Sequence, residues 1–273
     1  MSSAALQGWS ASRSRVGAIA RRHAYVLWRS PHRLFDVTIW PLVDAVLFGS
    51  IAVFFARQGG QGGSRTVSYL LAGIVLWHVV YQAQIAVATG FLEETWSRQI
   101  LTMLTTPMRE WEFVAGVAAF GLIKLVLGVG VVTVAAVGFY AFDPGSLGIW
   151  VIPVMLMLLM AGWSVALFVI GLVLRFGNGA EAFAWGILFV VMPLSGVFYP
   201  VEALPAVLRP VSLLLPTTHL FAAGRALVDG RGPSWHDLGL AALTTLLISA
   251  AAFAFLVRML RVFRERGYIT RYT

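Results

Sequence analysis

Long apolar runs, separated by short polar segments, dominate this chain. Runs close to the length a helix needs to cross a bilayer, about 20 residues, fall at 37–55, 67–89, 113–139, 149–174, 182–198 and 238–257. They predict an all-α integral membrane protein with six transmembrane helices, forming one transmembrane domain over 37–273. The fifth run is the shortest and can extend back through Glu181. Ahead of the first span, Val16, Ile19, Ala20, Ala24 and Leu27 fall on one helical face, with Arg15, Arg21, Arg22 and Arg29 on the others. Over 1–36 this suits a cytoplasmic amphipathic helix lying in the inner interface and ended by Pro31. A solvated basic tail is the alternative. Before the last span, the connection 199–237 contains Pro200, Pro205, Pro210 and Pro216. The apolar pieces between them, 206–215 and 220–228, are too short to cross. They predict short re-entrant helices that dip into the outer leaflet or cap a cavity, with their irregular backbone shielded from lipid. A loop lying on the surface is the other possibility.

Composition supports the membrane assignment. The chain is 59% hydrophobic and 12% charged, against about 25% charged in soluble domains. The formal net charge is +8, and all the basic residues but Lys124 are arginine. Basic chains can bind nucleic acid, but here the arginines cluster beside apolar spans, which indicates orientation instead. With the N-terminus inside, 14 arginines fall in inner segments and 5 in outer ones. The rule that positive loops stay inside therefore predicts a multi-pass protein of the plasma (inner) membrane with both termini cytoplasmic. Trp40 and Trp111 near inner ends, and Trp150 and Trp235 near outer ends, fit interfacial anchors. The first 35 residues hold no apolar run able to act as a signal-peptide core, so the first span is expected to direct insertion.

Candidate chemistry is sparse. There is no cysteine, so neither a disulfide nor a thiolate site is available. A phosphate-binding loop needs glycine-rich backbone followed by Lys and Ser or Thr. The single lysine, Lys124, stands between Ile123 and Leu125, so any ATP must be hydrolysed by another chain. The sequence contains neither H-E-x-x-H nor G-x-S-x-G, and its five histidines are too scattered for a metal site. No catalytic residue and no metal is expected. His78 and Gln82 share a face of the second span and suggest a helix-packing hydrogen bond. Asp44 in the first span and Lys124 in the third are costly alone in lipid. They are expected to pair inside the bundle, either as a structural ion pair or as part of a substrate path.

The stretch Pro193 to Pro205 (PLSGVFYPVEALP), followed by Leu213 to Leu220 (LLLPTTHL) and Arg225-Ala226-Leu227, resembles the signature region of type-2 ATP-binding-cassette (ABC) exporter permeases. The order of parts along nearly the whole chain is similar to that family as well. The resemblance marks Pro200, Glu202, Pro205, Pro216, His219 and Arg225 as the outer re-entrant region. It also marks 91–112 as a coupling loop that docks into a partner ATPase, with Glu93, Glu94, Arg98, Gln99, Leu101, Met103 and Leu104 as candidate contacts and Pro107 ending the helical stretch. Without the resemblance, this would be an ordinary amphipathic cytoplasmic loop. The family implies a separate P-loop ATPase subunit carrying ATP and Mg, a second permease copy (homodimer or related chain), and export by alternating access or a gated tunnel. Drugs, lipids and lipid-linked glycans are the substrate classes it implies, so efflux and polysaccharide transport are both open. An ATP-independent transporter or channel using Asp44 and Lys124 is the competing reading.

Overall fold

The computed structural model describes residues 3–58, 63–96, 110–180 and 182–266. These form helices α1 (Ser3–Arg29), α2 (Pro31–Gln58), α3 (Gly63–Trp96), α4 (Glu110–Tyr140), α5 (Val151–Phe176), α6 (Ala182–Leu194), α7 (Arg209–Leu214), α8 (Pro216–Val228) and α9 (Trp235–Arg266). There is no strand among the described residues. Among the described residues, five helices, α2, α3, α4, α5 and α9, are long and apolar enough to cross a membrane.

The expected fifth span is shorter than its apolar run. α6 has 13 residues, roughly 20 Å at the helical rise. It stops at Leu194, where the chain turns through Gly196 at φ +61. Side chains from the outer connection satisfy the carbonyls freed by that turn. Ser212 Oγ donates to the Leu194 carbonyl at 2.6 Å, and Arg225 Nη1 donates to the Gly196 carbonyl at 2.7 Å. Irregular backbone is tolerated at membrane depth only when protein or water satisfies it in this way.

α3 forms the axis of the bundle: nearly all of its apolar window is buried, and α2, α4, α5 and α8 surround it. Small residues set these contacts. A methyl group on Gly162 of α5 would stand 2.7 Å from the Val80 carbonyl oxygen of α3, and one on Gly73 would stand 2.5 Å from the Val197 carbonyl oxygen. Gly128 of α4 leaves room for the Gln82 amide. α9 closes the far side by packing on α5, and Ser164 and Ser249 hydroxyls hydrogen-bond there at 2.7 Å.

α1 lays its stripe on α4. Ile19 and Leu27 are buried, and Ile19 packs where Gly116 has no side chain. Leu27, Val37 and Phe120 form a small core joining α1, α2 and α4. The outer connection also packs into the bundle: α8 buries Leu220, Phe221 and Leu227 against α3, α5 and α9.

Candidate functional site

The two ends of the bundle differ in charge. One, called here the basic end, carries α1 and the last turns of α3, α5 and α9. α3 ends and α4 begins at this end, on either side of the centre of the coupling loop suggested by the sequence. Its flanking acids are both held. Glu93, in the last turns of α3, accepts from Arg33 Nη1 at 2.7 Å. Glu112, in the first turn of α4, accepts from Ser12 Oγ at 2.5 Å and Arg15 Nη1 at 3.2 Å. The Glu112 side chain is only 2% exposed, whereas Arg15 is 41% exposed. One acid is therefore tied to the start of α2 and the other to α1, so the N-terminal helices brace both feet of the loop. Charge-assisted hydrogen bonds of this kind are the stronger ones in proteins. His23 stacks on Phe120 with ring centroids 5.3 Å apart. Burial first, then the neighbouring Arg22, pushes it down to about 4, so it is neutral at ordinary pH. Of the loop contacts expected from sequence, Glu94 lies in the last turn of α3. Arg98, Gln99, Leu101, Met103 and Leu104 lie outside the described residues.

The expected Asp44–Lys124 pair is not formed. Asp44 Oδ2 instead lies 3.3 Å from His78 Nε2, at ion-pair distance but off the line a hydrogen bond requires. Depth explains the difference. Gly121 and Gly128 of α4 face Ala86 and Gln82 of α3, so Lys124 sits at least one helical turn nearer the basic end than His78. There its ammonium lies 5.6 Å over the Phe120 ring, in the field of Glu93, Arg33 and Asp36. The expected His78–Gln82 hydrogen bond is also absent: both His78 nitrogens and the Gln82 amide nitrogen are buried without a hydrogen-bond partner. In the sequence, Asp44 and His78 stand in separate spans with no local pattern linking them. That each lies near the middle of its run was the available signal for joining them.

At the opposite end, Asp229 follows α8 and accepts from Tyr69 Oη, from Arg65 and from Arg231. This ties the outer connection to the start of α3, a contact the sequence did not suggest. The remaining outer residues mainly shape backbone. Pro200 caps a short 3-10 turn, and Pro216 opens α8. The Glu202 carbonyl accepts from Arg209 Nη2 at 2.6 Å, and Pro205 begins the turn leading to α7. His219 Nε2 lies 3.0 Å from the Leu213 carbonyl. Trp150 and Trp235 meet edge to face at the same end.

Burial opposes ionisation of Asp229, but the three donors outweigh it and hold the carboxyl at about 2, below its usual 3.8. A carboxylate depressed on folding stabilises above its unfolded pKa and loses that contribution as pH falls through the folded value. The melting-temperature gap between the wild type and Asp229→Asn is therefore expected to be full at neutral pH and to close between about 4 and 2. Thermal scans in detergent across that range check it.

The bundle, its braced loop and its outer connection agree with one comparison. The family described as ABC-2 type transporter matches residues 14–228, from within α1 to the end of α8. The chain belongs to the ABC-2 type transporter family. It is thus a multi-pass membrane subunit of an ABC-type transporter, and the family implies a partner ATP-binding subunit. No curated protein matches the chain. The matched region contains both braced acids, the Asp44–His78 contact and the outer connection through α8.

Proposed function

We propose that this ABC-2 subunit is the permease half of an exporter that moves a hydrophobic, amphipathic or lipid-linked glycan substrate out of the cytoplasm, driven by a separate P-loop ATPase. Two permease copies, or this chain and a related one, form the pathway in the plasma (inner) membrane. The basic end and both termini face the cytoplasm, in keeping with the distribution of arginine. The ATPase binds ATP and Mg and docks on the segment 94–111.

The observation carrying this reading is the double brace. A segment that passes on motion made in another subunit must be held stiffly where it enters the membrane domain. Arg33–Glu93 and Ser12/Arg15–Glu112 supply that hold at its two feet. ATP binding would close the ATPase pair, and the braced loops would carry the closure into α3 and α4, which pack along each other. The competing ATP-independent reading uses Asp44 and Lys124, which stand at different depths, with Asp44 beside His78 and Lys124 over Phe120.

Leu101→Asp and Leu104→Asp test the docking. An acid buried in an apolar joint without a partner costs several kcal/mol, on the order of 3. Both variants are expected to insert and assemble normally while ATPase association falls by about a hundredfold or more. Quantitative pull-down with the ATPase subunit measures this. Wild-type association in both variants would remove the docking role.

A further inference from the structure

Asp44 lies midway along α2, and its side chain is one-third exposed. A carboxylate at the centre of a span is expensive when it faces lipid. The nearest group able to compensate it is His78, whose own side chain is fully buried. Both His78 nitrogens still have unused hydrogen-bonding capacity. Tyr81 meets His78 edge-on at 5.6 Å and lies in the field of Asp44. Hydroxyls elsewhere in the bundle are satisfied at similar burial: Ser195 bonds Thr217, and Ser164 bonds Ser249. Of the exposed residues around Asp44 on α2, Trp40, Val43, Val46, Leu47 and Ile51 are apolar, and Ser50 is already hydrogen-bonded to Tyr140. This face is therefore an apolar wall with one acceptor-rich polar station at mid-depth.

We propose that this face of α2 lines a water-accessible path through the membrane, and that Asp44, backed by the buried His78, forms a binding station for a hydrogen-bond-donating group on the transported amphiphile. The inference rests on the exporter reading and assigns to it a substrate chemistry: an apolar body with a hydroxyl or ammonium donor. A carboxylate only accepts hydrogen bonds, so the exposed part of Asp44 selects donors, and the buried His78 backs it from inside the bundle. The apolar residues on either side accept the rest of the molecule without retaining it. A hydroxylated headgroup and a protonated amine share this chemistry, and the experiment separates them.

The chain has no native cysteine, so single cysteines report cleanly. Leu47→Cys, with Ile51→Cys as a second position, places a thiol on the α2 face and leaves Asp44 intact. Leu246→Cys on the exposed face of α9 is the lipid-facing control. In vesicles holding the assembled permease and ATPase, a charged thiol reagent is expected to modify the α2 positions about a hundredfold faster than the control, because the charged reagent is excluded from lipid. Dodecyl maltoside and dodecylammonium, below their micelle concentrations, serve as probes of the two donor classes. At least one should slow modification of Leu47→Cys, and Asp44→Asn in the same background should abolish that protection. Protection by the maltoside identifies the hydroxyl source, and protection by dodecylammonium the amine source.

Modification of both α2 positions no faster than the control would overturn the path. Fast modification without protection, or protection that survives Asp44→Asn, would overturn the station. ATPase association and ATP turnover are measured on the same vesicles. Intact coupling with unreactive α2 cysteines defeats this inference alone, whereas reactive and protected cysteines without ATPase association defeat the exporter reading instead.

Discussion

Arg15→Ala is expected to destabilise the protein by ~3 kcal/mol, and Glu112→Ala by only ~1 kcal/mol, although both break the same ion pair. Exposure produces the asymmetry. Glu112 is almost fully buried at the foot of α4, so removing Arg15 leaves a carboxylate with Ser12 but without this cation. The other change leaves an arginine that already reaches solvent and can turn outward. The consequences extend to function because α1 packs on α4 and braces one foot of the loop. In Arg15→Ala, α1 should peel from Gly116 and Phe120 and fray, opening its backbone to trypsin at Arg13 and Arg21, whose side chains are already exposed, and export should fall in parallel. Thermal midpoints in detergent and the rate of nicking within α1 measure both effects. Equal losses in the two variants would mean that Glu112 does not act as a buried charge.

Gly162→Ala should be as damaging for a different reason. The added methyl would sit 2.7 Å from both the Ala83 Cβ and the Val80 carbonyl oxygen. The oxygen belongs to the backbone of the central helix and cannot swing aside, so α3 and α5 must separate. Overpacking of this kind costs about 1–3 kcal/mol, here at a contact that also supports α9 through α5. Gly130→Ala provides the control: nothing lies within 4 Å of its added methyl. That substitution should be neutral or stabilising by up to ~1 kcal/mol, since alanine favours the helix more than glycine does. The monodisperse fraction on size exclusion, together with the thermal midpoint, distinguishes them. A Gly162→Ala variant as stable as Gly130→Ala would show that α3 and α5 do not approach this closely.

Hydropathy alone makes the all-α membrane architecture legible, because crossing a bilayer demands long apolar helices and little else imitates them. The same signal overreads the length of the fifth apolar helix. An apolar run records which residues avoid water, not where the helix stops. Here Gly196 and the carbonyl contacts from Ser212 and Arg225 end α6 at Leu194, and those partners lie far along the chain. The stripe on α1 is readable from its spacing. Its packing on α4 is not, since a face suited to lipid also suits another helix. The misplaced pairing of Asp44 has a similar origin. Two opposite charges in separate spans invite pairing, but helix register decides which residues share a depth. The glycines of α4 set that register by letting Ala86 and Gln82 approach, and spacing within one helix cannot reveal it. The braces on Glu93 and Glu112 join residues from different elements, so they escape any local pattern.

On the proposed function, this chain is expected to move substrate only with an ATP-hydrolysing partner. The most direct measurement is uptake into inverted vesicles containing the purified permease, with and without a P-loop ATPase subunit that co-purifies with it, using dodecylammonium or a fluorescent alkyl glycoside as cargo. The account predicts accumulation only when permease, ATPase and ATP are all present, and its loss when the P-loop lysine of the partner is replaced. Accumulation by the permease alone, driven by a proton or sodium gradient without ATP, would contradict it.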